Sequence, residues 1–285
     1  MARPYIERKH MDKVRFNELN LSPEILRAVE DMGFEEATVI QTQSIPLVMA
    51  GRDVIGHSQT GTGKTAAFGI PAIERTDKRN PAVQTLVLCP TRELAVQASE
   101  EIRRYAKYKP GIRILPIYGG QPIERQIREL KKGVHIVIGT PGRVMDHMRR
   151  RTLRVGEVRL MVLDEADEML ELGFLPDVEK LLAATPASRH TMLFSATMPG
   201  AVVALARRYM TQPTHIRASD PDDGGATVKA IKQVVYRAHA LDKIEVLARM
   251  LQANGRGLTV VFARTKRTAG TLSDELRERG FAAKM

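Results

Sequence analysis

Tryptophan is absent from the sequence, cysteine occurs once, and aromatic residues make up only 5% of 285 positions. A platform of aromatic side chains on which successive bases stack is therefore not expected. One cysteine, Cys89, excludes an internal disulfide and a multi-cysteine metal site. It closes the apolar run Thr85-Leu86-Val87-Leu88-Cys89, which predicts a buried structural thiol. No stretch approaches the roughly 18 apolar residues that a membrane span needs. Met1 to Phe16 is charged and has no apolar centre, so no secretory signal is expected there. These absences predict a soluble, intracellular protein, assigned to the cytoplasm, without a membrane partner.

Apolar residues at 43% and charged residues at 27% are near the globular average, and the length suits one large or two modest domains. The net charge of +11 leaves two readings open. A basic surplus suits a polyanionic partner, nucleic acid or a membrane surface; it also suits an Arg-rich soluble protein with no such partner. Apart from Arg149-Arg150-Arg151 the charge is spread along the chain.

Short apolar runs recur at Asp53 to Gly56, Leu86 to Leu88, Ile112 to Tyr118, Val134 to Gly139, Leu160 to Leu163 and Met192 to Phe194. They lack polar alternation, as strands buried on both faces of a parallel sheet do. Amphipathic stretches such as Arg92 to Tyr108 and Asp177 to Ala184 lie between them. This alternation predicts an α/β fold with a mostly parallel sheet flanked by helices, and places ligand chemistry just after each run. The acidic, Pro- and Gly-rich stretch Ser219 to Gly225 reads as a linker. Beyond it the pattern predicts strands at Ile231 to Tyr236 and Leu258 to Phe262, and helices at Leu241 to Ala253 and Thr268 to Arg279. About 60 residues with two or three strands are marginal for an independent α/β domain. The expected division is 1–218, a linker at 219–228, and an incomplete second domain at 229–285.

Ser58-Gln59-Thr60-Gly61-Thr62-Gly63-Lys64-Thr65 follows a strand and precedes a helix beginning near Ala66. Glycines let successive N–H groups point at one anion, and the helix N-terminus adds positive potential. Lys64 can reach the β- and γ-phosphates and the Thr65 hydroxyl can hold Mg²⁺. The plainer reading is a Gly-rich turn that binds nothing. A second cluster, Asp164-Glu165-Ala166-Asp167, ends the run Leu160 to Leu163. There Asp164 suits a Mg²⁺-binding acid and Glu165 the base that orients a water. Alone, that string would be a solvated turn capping a helix; the phosphate loop upstream favours function.

With Gly-Thr-Gly-Lys-Thr and Asp-Glu-Ala-Asp together, the chain resembles the DEAD-box RNA helicases of superfamily 2, from about Phe16 to Lys266. Gly33 to Gln41 is similar to the Q motif, although Ala37 and Val39 stand where prolines are usual. Further matches are Pro90-Thr91-Arg92-Glu93-Leu94-Ala95 with motif Ia, Gly119-Gly120 with the double glycine, and Thr140-Pro141-Gly142-Arg143 with motif Ib. Ser195-Ala196-Thr197 matches motif III, and Val260 to Lys266 resembles motif IV. The resemblance implies a RecA-like P-loop fold with a partial second RecA-like domain, and ATP and Mg²⁺ as cofactors. It implies that Gln41 reads the adenine edge with Phe16 near the base, and that motifs Ia and Ib and the glycines hold an RNA backbone. It also implies that Ser195 and Thr197 bond Asp167 and couple the nucleotide to the second domain. RNA-processing or ribosome-assembly proteins are the protein partners it suggests.

The family's motifs V and VI, which bring arginines to the γ-phosphate, have no match before Met285. The expectation is a chain that ends within the second domain, binds ATP and RNA, and unwinds duplexes weakly by itself. A nucleotide-gated RNA clamp or dominant-negative fragment is the alternative, and a DNA helicase or translocase the lesser one.

Overall fold

The computed structural model describes residues 14–57, 61–217, 234–253 and 257–285, so Ser58, Gln59, Thr60, the linker and Ile231 lie outside the described residues. The chain divides into two compact units, Met1–Ala226 and Thr227–Met285. Among the described residues no helix is long and apolar enough to cross a membrane.

The first unit opens with β1 (Val14–Arg15), α1 (Pro23–Asp31) and β2 (Glu36–Ala37), the two strands pairing antiparallel. Then α2 (Val39–Met49), β3 (Val54–His57), α3 (Lys64–Glu74), β4 (Thr85–Leu88), α4 (Arg92–Tyr105) and β5 (Ile114–Ile117) follow in turn. They lead into α5 (Ile123–Lys131), β6 (Ile136–Gly139), α6 (Pro141–Arg149) and β7 (Leu160–Leu163). The unit closes with α7 (Ala166–Glu171), α8 (Leu175–Ala184), β8 (His190–Ser195), α9 (Gly200–Tyr209) and β9 (Thr214–Arg217). Seven strands form one sheet in the order β5-β6-β4-β7-β8-β3-β9, and every neighbouring pair is parallel.

Side-chain alternation shows why the strands read as unbroken apolar runs. Val54, Val87, Ile136, Ile138, Leu160, Val162, Met192 and Phe194 belong to one core, with Phe68 and Ile70 of α3 and Ile102 of α4. Their neighbours Ile55, Leu86, Leu88, Val137, Met161, Leu163 and Leu193 belong to another, with Val144 of α6, Leu181 of α8 and Leu205 of α9. Successive residues of a strand point to opposite faces, and here both faces are covered by helices. Cys89 is buried, and burial pushes its thiol well above the usual range.

Strand β9 escapes the apolar-run criterion because only Ile216 of its four residues is buried. It is fixed through Asp53, whose carboxylate accepts from Thr191 N at 2.8 Å and Thr211 N at 2.6 Å. The opposite edge strand, β5, is blunted against further pairing. Arg113 O and Ile117 O accept from β6 and its flanks, so Ile114, Pro116 and Tyr118 face outward. Arg103 Nη2 donates to Ile114 O at 2.9 Å, Gln126 Nε2 donates to Tyr118 O at 3.0 Å, and Pro116 has no N–H.

The second unit contains α10 (Lys243–Gln252) and α11 (Lys266–Glu278), where the periodicity places them. The expected strand over Leu258 to Phe262 is not formed, and the described part of the other, Val234 to Tyr236, is not a strand either. A strand needs a hydrogen-bonded neighbour, and Leu258 is 99% and Phe262 94% exposed.

Candidate functional site

Strand order dictates how the motifs meet at the carboxyl edge of the sheet. Along that edge stand Gly119-Gly120 after β5, Thr140 to Arg143 after β6, Pro90 to Ala95 after β4, Asp164 to Asp167 after β7, Ser195 to Thr197 at β8, and the glycine loop after β3. The loop and the acidic turn thus flank the Ser-Ala-Thr turn, and the other three motifs share the far half of the edge.

Gly61 and Gly63 adopt φ of +78° and +86°, a left-handed region that favours glycine. A Cβ on Gly63 would run into the Gln41 side-chain amide. Lys64 starts α3 and is buried, with Nζ 3.7 Å from Asp164 Oδ1 and 3.5 Å from Glu165 Oε1. The half-buried Thr65 follows it in the first turn. Burial raises the Asp164 carboxyl to about 6 against the pull of Lys64. Its Oδ1 is buried without a hydrogen-bond partner. An orphaned buried carboxylate oxygen beside a phosphate loop fits a divalent cation. Among the described residues no three His, Cys, Asp or Glu could hold a metal by themselves, which Mg²⁺ does not require when phosphates complete its shell.

Glu165 stands at φ +55°, ψ +56°, an uncommon backbone for a glutamate, immediately before α7. Glu168, one turn on, hydrogen-bonds Glu165, and this bond first, then burial, raises it to about 7. The two line a cavity of about 290 Å³ with Lys64, Asp167, Glu171 and Ala196. Asp167 Oδ2 accepts from Thr197 N and Thr197 Oγ1, both at 2.8 Å, and Asp167 N donates to Ser195 Oγ at 3.1 Å. Burial would raise the Asp167 carboxyl, but the hydrogen bonds of Thr197 and Ser195 outweigh it and hold it low.

Gln41 is buried, and both ends of its amide are engaged: Oε1 accepts from Thr38 N at 2.9 Å and Nε2 donates to Gly63 O at 3.1 Å. Thr38 Oγ1 donates to Thr62 O at 2.9 Å. The Thr-x-x-Gln start of α2 forms a capping box, and the Thr38 hydroxyl proton ties it to the phosphate loop. Phe16 is 4% exposed and belongs to the core, as an isolated aromatic does by default.

On the other half of the edge, Thr91 caps α4 by accepting from Leu94 N at 3.3 Å, behind the buried Pro90. The exposed Arg92 guanidinium lies 5.4 Å from the Tyr118 ring, and its Nη1 would be 3.5 Å from a Cβ on Gly120. Gly119 and Gly142 have open space around them, and Thr140 and Pro141 start α6. Arg143 is turned to protein: Nη1 donates to Gln121 O and Gln126 Oε1, and Nη2 to Gln121 O, all at 3.2 Å. Gln126 Oε1 also bonds His147 Nε2 at 2.8 Å. Since Gln126 Nε2 is committed to Tyr118 O, His147 must donate through Nε2 and accept at Nδ1 from Thr152.

Glu168, Thr38, Tyr118, Gln126 and His147 were not among the residues expected from sequence. Only Thr38 carries a local signal, the capping-box spacing; the others gain their place from residues distant in the chain.

The all-parallel sheet, the glycine loop before α3 and the acidic turn opposite it define a RecA-like P-loop protein. The sequence profile of the DEAD/DEAH box helicase family matches residues 38–205. A curated relative, the DEAD-box ATP-dependent RNA helicase CshA of Geobacillus kaustophilus (strain HTA426), is 50% identical over 268 residues, covering 94% of this chain and 56% of its own length. That of Bacillus subtilis (strain 168) is 47% identical over 270 residues, covering 95% and 54%. The crystal structure of a DEAD box protein from the hyperthermophile Methanococcus jannaschii matches with a TM-score of 0.70 and 41% identity, over 94% of this chain and 71% of that one. The chain belongs to the DEAD/DEAH box helicase family. It spans about half the length of the curated relatives it matches.

Proposed function

We propose that the chain is the part of an ATP-dependent RNA helicase that binds ATP with Mg²⁺, grips single-stranded RNA by its backbone, and contributes to hydrolysis coupled to local unwinding. The observation that carries this reading is Lys64 Nζ, held within 3.7 Å of Asp164 and 3.5 Å of Glu165 at the mouth of the glycine loop. A polyphosphate entering the loop competes for that ammonium and receives the amides of residues 61–65 and the α3 N-terminus.

In this reading Thr65 and Asp164 hold Mg²⁺, which supplies positive charge to the phosphate oxygens. Glu165, released by Lys64, accepts a hydrogen bond from the attacking water and orients it. Gln41 ties base recognition to loop shape through Gly63 O, with Phe16 backing the loop before α1 and Ser58, Gln59 and Thr60 completing the phosphate cradle. Asp167, Ser195 and Thr197 carry the state of the acidic turn to β8. Thr91, Arg92, Gly119, Gly120, Thr140, Pro141 and Gly142 offer hydroxyls, amides and the exposed Arg92 guanidinium to phosphates and sugars, with little base specificity. Arg143 supports that surface from behind.

The reading includes an RNA-binding first domain over 1–218, a linker at 219–228 and part of a second domain at 229–285. By family likeness it also includes a cytoplasmic location and protein partners in RNA processing or ribosome assembly. The chain measured alone is expected to bind nucleotide and RNA but unwind weakly, because it spans half its relatives' length.

The test is fluorescent-ATP titration with and without Mg²⁺, followed by RNA and DNA competition on the nucleotide-bound protein. Lys64→Met should weaken nucleotide binding by about 100-fold, the loss of a buried charge-assisted contact of roughly 2–3 kcal/mol. Unchanged affinity, or equal competition by DNA, would sink the reading.

A further inference from the structure

The basic surplus of the chain is not gathered where the RNA motifs are. The carboxyl edge offers Lys64, Arg92, Arg125, Arg143 and Arg217 against Glu93, Glu124, Asp164, Glu165, Asp167, Glu168 and Glu171. At the amino edge the balance is reversed. Four neighbouring strands start there from Arg113, His135, Gln84 and Arg159, joined in that order by backbone bonds of 2.8–2.9 Å. Around this line stand Lys78, Arg113, Lys131, Arg151, Arg154 and Arg159, all exposed.

Topology brings them to one edge. Helix α6 has nine residues, and β6 four, so each spans roughly 13 Å and the helix returns the chain to the amino side before Arg151 and Arg154. Helices α5 and α3 do the same for Lys131 and Lys78. Among the described residues Lys78, Lys131, Arg151, Arg154 and Arg159 form no ion pair with a carboxylate. The acids nearby are few: Asp77 pairs with Arg79, Glu129 with Lys132, and Glu157 is exposed.

Basic residues gather at helix C-termini to complement the helix dipole. That explains Lys131, the last residue of α5. It does not explain Lys78, Arg113, Arg151, Arg154 or Arg159, which lie in the loops beyond. Like charges held side by side raise the energy of the free protein, and a polyanion relieves it.

We infer that the amino edge of the sheet is a second RNA-binding surface, taking the phosphodiester backbone of a duplex that flanks the strand held at the carboxyl edge. It rests on the proposed RNA function for the identity of its polyanion. Arginine forks match phosphate oxygens, and contacts to phosphate carry no sequence information.

The test uses the whole chain with Lys131, Arg151, Arg154 and Arg159 all changed to Gln, and two probes: a short single-stranded RNA, and the same strand carrying a long duplex stem. Binding to the stem-carrying RNA should fall about 10-fold or more, and its dependence on salt should become shallower by roughly 0.9 for each phosphate no longer neutralised. The short strand should bind within about twofold of the parent. Arg92→Ala, at the motif edge, should weaken both probes, so its failure would count against the proposed function and not against this surface. Undiminished binding of the stem-carrying RNA overturns the inference, as does an equal loss on both probes. If the fourfold variant melts early, Arg154→Gln alone should still lower stem binding and leave the short strand unchanged; no selective loss overturns the inference.

Discussion

Replacing Lys64 with Met removes the ammonium that pairs with Asp164 and Glu165, and its effect on stability should depend on pH. Asp164 is already raised to about 6, so the folded protein binds a proton there more readily than the unfolded chain does. A raised carboxyl gives stability at low pH that is lost as pH climbs through its folded value. Without Lys64 that value rises further. The variant should therefore melt close to the parent at pH 5 and fall progressively below it toward pH 8. Equal deficits at both ends would mean that Lys64 does not neutralise the pair. Lys64, Asp164 and Glu165 were legible because each sits in a short string after an apolar run. Glu168 was not, since its bond to Glu165 depends on the left-handed turn at residue 165. The family likeness suggests a base-reading Gln41; the structure adds bonds of its amide with Thr38 N and Gly63 O, the second of which no local pattern in the sequence shows.

Strands are held by what they pair with, and Asp53 shows how much one side chain can fix. It precedes β3, and its carboxylate serves Thr191 N at the start of β8 and Thr211 N in the loop before β9. Asp53→Ala would leave two N–H donors unpaired, at roughly 1–3 kcal/mol each when fully buried, so a loss of about 2–4 kcal/mol is expected. Chemical denaturation should show it, with amide exchange accelerated first in β9 and β8. A change below about 0.5 kcal/mol would assign those donors to solvent. The six strands expected from apolar runs are all present, some with ends displaced by a residue or two. Strand β9 was missed because an edge strand buries one side chain, and the expected strand at Leu258 to Phe262 was over-read because apolar composition cannot supply a pairing partner.

At the scale of the whole molecule, three histidines among the described residues sit where protonation opposes the fold. His135, His147 and His190 are each lowered from 6.5, in every case first by burial and then by a neighbouring arginine: Arg113, Arg143 and Arg75. A lowered histidine means that the unfolded chain takes up the proton first, so stability falls as pH drops through 6.5. Asp164 and Glu168, both raised, act in the opposite sense. The difference between the parent and His147→Gln isolates one histidine. The parent's advantage at pH 8 should shrink as pH falls below about 6.5, read from melting curves at about 2–4 °C per kcal/mol. An advantage constant with pH would show that His147 does not titrate on unfolding.

What the sequence determined by itself was local: the apolar runs that become doubly buried strands, the glycines before Lys64, and the acids after β7. These depend on periodicity and on neighbours a few residues away. The tertiary structure alone decided which runs lie side by side, because strand order is set by crossovers of ten residues or more. That order sets Lys64 against Asp164, Thr197 against Asp167, and Arg143 against Gln126. It also separates the basic loops of the amino edge from the motifs of the carboxyl edge, a division that a net charge of +11 spread along the chain does not reveal.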